Sequence, residues 1–189
     1  MTPRPCAVRS EGAELLIDSL ANKHVRAVHR IDSQVYPKPW SITLLRQEID
    51  LADRFHIVAL DTGSVVGHAG LMSVVDQGHI TTVAVAPKSQ GSGIASALML
   101  VLVDRARALR HRSLTLEVRV SNDRAIDLYR RFGFVPAGIR KSYYADTGED
   151  GLVMWAGDID EVQYDSRLDQ LRVDSPHLRF TPALDRSMT

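Results

Sequence analysis

The apolar positions of the chain change their spacing several times, and each change marks an element. Leu15–Ser19 reads as a short first strand. Val25, Val28, Ile31 and Val35 then recur at helical intervals behind Asn22, a residue type suited to cap a helix. Two prolines in the YPKPW stretch from Tyr36 to Trp40 forbid a continuing helix, so this stretch is a connection. Ser41 caps a second helix with Leu44, Leu45 and Ile49 on its apolar side. From Phe55 the period becomes strand-like. Residues 55–60, the turn 61–64 and residues 65–75 predict a hairpin, and residues 79–86 predict the next strand. A long helix runs from Ile94 to about Arg110 and is followed by a strand, Ser113–Arg119. A helix capped by Ser121 or Asn122 ends at Phe132-Gly133, and residues 134–139 and 152–156 predict closing strands. After Ile159 a short helix over residues 164–173 leads into a polar tail, read as an appendage whose helix can cover an edge strand. The domain expectation is therefore a loose segment 1–13, one domain over 14–158, and an appendage over 159–189 with a disordered end.

The most informative stretch is residues 81–98, TTVAVAPKSQGSGIASAL. An apolar strand stops at Pro87, turns through Gly91 and Gly93, and opens a helix at Ile94. Glycines there permit positive φ, so successive N–H groups can form an anion-binding nest at a helix N-terminus. Other glycine-loop chemistries fit less well. Lys88 precedes the glycines, whereas a nucleoside-triphosphate loop needs lysine after them. Ser96 stands where a dinucleotide loop needs its third glycine, and the glycines flanking Ser92 are too close for a nucleophile elbow. Taken alone, the turn is equally an ordinary strand-to-helix connection.

Composition narrows the class rather than the activity. The 189 residues suit one domain, and 44% hydrophobic with 24% charged residues is ordinary for a globular protein. Lys+Arg and Asp+Glu both number 23, so overall charge implies no polyanion partner and no direct nucleic-acid role. The longest apolar stretch, residues 94–103, is interrupted at Ser96 and is too short to span a membrane. With no leader-like amino end, the expectation is a cytoplasmic protein without a membrane partner. The single cysteine, Cys6, cannot form an internal disulfide. The seven histidines include no pair at metal-binding helical spacing, so no metal is expected, and His68 and His79 read as satisfied strand residues.

The glycine turn, the strand LTLEVRVSN and the helix segment AIDLYRRFGF together resemble the GNAT-fold N-acetyltransferases. LEVRVSN followed by LYRRFGF is similar in particular to the RimI-type ribosomal-protein-alanine N-acetyltransferases. The resemblance spans residues 15–157. It implies an α/β fold with a V-split, mostly antiparallel mixed sheet flanked by helices, and acetyl-CoA lying in the opening. It further implies that Val83, Ala84 and Val85 pair with the pantetheine arm. Lys88, Gln90, Gly91, Ser92, Gly93 and Ile94 would hold the pyrophosphate, and Asn122 would hydrogen-bond the cofactor. Lys88 departs from the glutamine or arginine usual at that place, offering a point charge in place of a planar fork. Gln77-Gly78 departs as well, standing where related sequences often carry an acid.

The implied reaction is direct acetyl transfer to an amine in a ternary complex. The amine attacks only when neutral, so a base is required, and the departing thiolate benefits from an acid. Glu117 resembles the family's base, and residues 77–86 of the neighbouring strand offer no competing carboxylate. Tyr129 resembles its acid, a phenol protonated at neutral pH. Structural readings of the same residues stand beside these: Glu117 can be ion-paired with Arg119 on its own strand face, and Tyr129 can be a core aromatic. Tyr36, Trp40, Tyr143 and Tyr144 match stretches that flank the peptide groove in RimI-like enzymes, so the implied partner is the N-terminal peptide of a protein, in that group the alanine of the eighteenth small-subunit ribosomal protein. A GNAT enzyme for a small amine or a lysine side chain, and a non-catalytic acyl-CoA-binding module, remain open at this point.

Overall fold

The computed structural model describes residues 15–173 and 178–180. The expected loose segment 1–13, with Cys6, and the polar end from residue 181 lie outside the described residues. The elements are β1 (Leu15–Ser19), α1 (Val25–Val35), α2 (Ile42–Asp50), β2 (Arg54–Asp61), β3 (Ser64–Val74), β4 (Gln77–Val85), α3 (Ile94–Ala108), β5 (Ser113–Arg119), α4 (Asp123–Arg131), β6 (Val135–Tyr144), β7 (Glu149–Gly157), α5 (Gln163–Val173) and β8 (Leu178–Phe180). They form one mixed sheet in the order β6-β7-β5-β4-β3-β2-β1-β8, antiparallel except where β4 meets β5 and β1 meets β8.

Alternation along the strands sends side chains to two different covers. On β2, Ile57 and Ala59 join the main core while Val58 joins a smaller cluster under α1 and α2. The main core is built on α3, whose residues from Ala97 to Val103 are all almost fully buried. A helix apolar all round must be enclosed, and α3 lies against β2, β3 and β4 on one side and α5 on another. Each large aliphatic side chain buried there contributes roughly 1.5–3 kcal/mol.

Local chemistry explains most element ends. Ser41 accepts a hydrogen bond from the Leu44 amide and starts α2, and Asn122 does the same for Ala125 at the start of α4. Asn22 does not cap α1, which begins at Val25 with His24 as the preceding residue and no side-chain cap. The reason is local: the turn from Ala21 to His24 is closed by backbone bonds and by the Ala21 amide on His24 Nδ1. The segment after Ile159 is more integrated than an appendage. Tyr164, Leu168 and Leu171 of α5 belong to the main core cluster, and the edge of β1 is covered by strand β8 rather than by a helix.

Two irregularities open the sheet. A bulge shifts the β3–β4 register between Gly70↔Thr82 and Leu71↔Ile80, leaving Thr81 unpaired and increasing the local twist. The parallel β4–β5 ladder comprises only Gln77↔Ser113, Gly78↔Leu114 and His79↔Thr115. Beyond His79 the strands diverge, while β5 stays paired with β7 up to Arg119. The result is a V with His79 at its apex and a cleft between its arms.

Candidate active site

The cleft has two halves that share Val83, Asn122, Ala125 and Tyr129. One half is lined by Val85, Ser89, Gln90, Gly91, Gly93 and Ile94 from the strand–turn–helix stretch, and by Arg124, Leu128 and Arg131 from α4. Gly91 and Gly93 have φ of +85° and +82°, values that L side chains rarely adopt. At Gly93 the chain enters α3, whose first N–H groups have no partner within the helix and favour an anion. A Cβ on Gly91 would lie 3.5 Å from Arg124 Nη2, which places a guanidinium beside the turn. Arg124 Nη1 also donates to Gln90 Oε1 at 3.1 Å, and Gln90 Nε2 donates to the Val85 carbonyl at 3.1 Å. Ser92 donates to the Ser89 carbonyl at 2.6 Å and so braces the turn. Backbone donors plus a cation suit a pyrophosphate, and the unpaired arm of β4 suits an extended amide-bearing chain.

The other half is lined by Tyr36, Trp40, Glu117, Arg119, Tyr143, Tyr144, Asp32 and Asp146, among others. The Tyr36 hydroxyl donates to the Val83 carbonyl at 3.0 Å and lies 3.2 Å from Thr82 Oγ1, fixing this ring where the halves meet. Burial pushes the Tyr36 phenol up to about 12. Tyr143 and Tyr144 pack edge to face at 5.1 Å between centroids, and the Arg119 guanidinium stacks 4.0 Å over Tyr144.

Glu117 and Tyr129 stand on different walls of this cleft. Glu117 alternates with the buried Leu116 and Val118, so it points away from the α3 core and into the opening. Its side chain is 6% exposed, with Oε2 3.3 Å from His79 Nε2 and Oε1 3.3 Å from Arg140 Nη2. The alternative reading, an ion pair with Arg119, is not what forms. Arg119 is taken by Asp146, at 3.0 and 2.7 Å, and by Glu149 at 3.2 Å, because the β6–β7 turn folds over the end of β5. Those hydrogen bonds hold the Asp146 carboxyl below its usual range. Tyr129, buried in α4 against Phe134, has its phenol pushed well above 10 by burial, so it stays protonated across neutral pH.

The structure therefore brings together Glu117, Tyr129, Asn122, Val83, Val85, Gln90, Gly91, Gly93, Ile94 and the four aromatics Tyr36, Trp40, Tyr143 and Tyr144 around one cleft. Ala84 faces the core, Ser92 acts within the turn, and Lys88 lies on an exposed turn of 3₁₀ helix outside the cleft lining. Sequence reasoning passed over Arg124, which a helical projection from Asn122 places near the turn. It also passed over the role of His79 beside Glu117, which requires the parallel register to be known.

The chain matches the acetyltransferase (GNAT) family over residues 25–134. It is 32% identical over 141 residues to the [ribosomal protein bS18]-alanine N-acetyltransferase of Escherichia coli, covering 73% of this chain and 94% of that protein. It is 30% identical over 144 residues to the N-alpha-acetyltransferase RimI of Mycobacterium tuberculosis, covering 73% and 89% respectively. The crystal structure of the Escherichia coli ribosomal-protein-S18-alanine N-acetyltransferase superposes with a TM-score of 0.70 at 29% identity, over 76% of this chain and 94% of that one. With the family matched across the V-shaped cleft and the glycine turn, this chain belongs to the GNAT acetyltransferases and is an acetyl-CoA-dependent N-acetyltransferase.

Proposed function

We propose that the acceptor is the N-terminal α-amine of a protein, specifically the alanine of ribosomal protein bS18, the acceptor in the names of its Escherichia coli relatives. The single observation that carries this reading is the continuous cleft whose halves meet at Tyr129, with Glu117 on one side of the junction and the glycine turn on the other. Acetyl-CoA lies with its phosphates on the Gly91–Ile94 turn and beside Arg124, and its pantetheine arm along Val83 and Val85. The peptide end enters between Tyr36, Trp40, Tyr143 and Tyr144.

The chemistry follows from these positions. Glu117 takes a proton from the ammonium, directly or through one water, and the neutral amine attacks the thioester carbonyl carbon. The C–N bond forms and the C–S bond breaks; the departing thiolate receives a proton from the Tyr129 hydroxyl, the second amine proton, lost as the amide forms, returns through water to the Tyr129 oxygen, and Glu117 releases its proton to solvent. Tyr129 suits that step because burial keeps the phenol protonated, and so able to donate, at neutral pH. An α-amine, with an ordinary pKa of about 7.7–8.0, asks less of the base than a lysine at about 10.4. The acetyltransferase unit extends past residue 158 to take in α5, whose Tyr164, Leu168 and Leu171 share the main core, and among the described residues no helix is long and apolar enough to cross a membrane.

Mass spectrometry of a peptide carrying both an N-terminal alanine and an internal lysine, after incubation with the protein and acetyl-CoA, tests the proposal. Acetyl on the α-amine alone is expected. Acetyl on the lysine reassigns the acceptor, and no transfer despite acetyl-CoA binding favours a small amine or a binding module.

A further inference from the structure

Glu117 lies two residues beyond the last β4–β5 ladder pair, His79↔Thr115, at the point where the V opens. A carboxylate on a side chain only 6% exposed must be held by donors or bear its desolvation cost. Three groups surround it: His79 Nε2 lies 3.3 Å from Oε2 and Arg140 Nη2 3.3 Å from Oε1, both ion-pair distances, and the Tyr143 hydroxyl hydrogen-bonds the carboxylate. They differ in how firmly they are placed. Arg140 is 58% exposed, so its attraction is screened and its side chain is free to leave. Tyr143 belongs to the exposed strand β6. His79 is 23% exposed and rooted in the backbone ladder that fixes β4 against β5, and it reaches Glu117 from the apex rather than from the cleft.

We infer that His79 is a positioning residue: its Nε2, 3.3 Å from Glu117 Oε2, is close enough to donate a hydrogen bond as the carboxyl turns toward the acceptor, fixing the carboxyl plane so that its remaining lone pairs face the incoming amine. This rests on the reading of Glu117 as the base. The charged and titratable groups facing His79 are Glu117 of β5, Arg140 of β6 and, farther off, Arg54 of β2. Burial, Arg140 and Arg54 hold the imidazole below its ordinary pKa against the opposite pull of Glu117. A neutral ring fits the task. It orients the carboxylate through one N–H without the full positive charge that would make Glu117 a much weaker base. Among the described residues, no other group at the apex combines that geometry with that neutrality.

Two measurements test the inference on the full chain. Nitrogen-15 NMR of the wild-type protein at neutral pH should show His79 neutral with the proton on Nε2; a proton on Nδ1 alone, or a protonated ring, overturns it. His79→Leu, which offers no donor, should lower kcat about tenfold with the KM for acetyl-CoA unchanged. His79→Gln, which keeps a donor, should restore most of the rate. Unchanged kcat in His79→Leu, or a His79→Gln rate no higher than that of His79→Leu, overturns the inference. Full turnover by Glu117→Gln overturns the base assignment instead, while the His79 tautomer in the wild-type protein still reports on the contact.

Discussion

In the half of the cleft that runs from Val83 to Ile94, the binding surface is largely backbone: the open arm of β4, a glycine turn and the first amides of α3. In the half around Glu117 the surface is made of side chains carried by the α1–α2 connection, β5 and the β6–β7 turn. A backbone site tolerates change in the side chains and depends on conformation. A side-chain site depends on residue identity and on the topology that gathers distant segments. Substitutions should therefore act on different quantities in the two halves, binding of acetyl-CoA in one and turnover or peptide binding in the other.

The largest expected effect is that of Glu117→Gln, which keeps the shape and removes the base. It should lower kcat by about 10²–10⁴-fold, with calorimetry showing an unchanged Kd for acetyl-CoA. A large loss of acetyl-CoA affinity in this variant would break the separation of the halves. Gly93→Asp is the converse. A Cβ there meets open space, so the cost is the φ of +82° and a negative charge beside the phosphates. With strain of about 1–3 kcal/mol, acetyl-CoA binding should weaken by tenfold or more, while the acceptor KM at saturating acetyl-CoA stays near its wild-type value.

Which half can be read from the sequence follows from the same contrast. The glycine turn is contiguous, and its strand, proline, glycines and helix announce themselves within residues 81–98. The alternation around Glu117 and the cap at Asn122 are equally local, and both elements form where the pattern places them. The partners of Glu117 are not local. His79, Arg140 and Tyr143 come from two other strands, and only the short parallel ladder and the β6–β7 hairpin bring them together. Arg119 illustrates the limit: alternation correctly puts it on the face of Glu117, yet its charge is consumed by Asp146 and Glu149, 27 and 30 residues away. Strand β8 is three residues long and pairs with β1 from the far end of the chain, with too little pattern to be seen in advance.

Two smaller effects sharpen the comparison. Tyr36→Phe touches the place where the halves meet, removing the hydrogen bond to the Val83 carbonyl. A net loss of about 0.5–1.5 kcal/mol predicts a rise of roughly twofold to tenfold in the peptide KM, read from steady-state kinetics. Tyr164→Phe lies outside the cleft: its hydroxyl donates to the Phe132 carbonyl at the end of α4, and Arg167 donates to the Arg131 carbonyl at 3.2 Å. Leaving a buried carbonyl unpaired costs about 1–3 kcal/mol, so thermal denaturation should begin several degrees lower, with kcat at 25 °C little changed.

The most direct measurement of the account is a crystal structure with a conjugate joining CoA through its sulfur to the amino group of an alanine-initiated peptide. The phosphates should lie on the Gly91–Ile94 turn, the linked nitrogen within direct or one-water reach of Glu117, the sulfur beside the Tyr129 hydroxyl, and the peptide between Tyr36 and Tyr143. A conjugate whose nitrogen lies beyond reach of Glu117, or whose peptide leaves the cleft by another path, would contradict it.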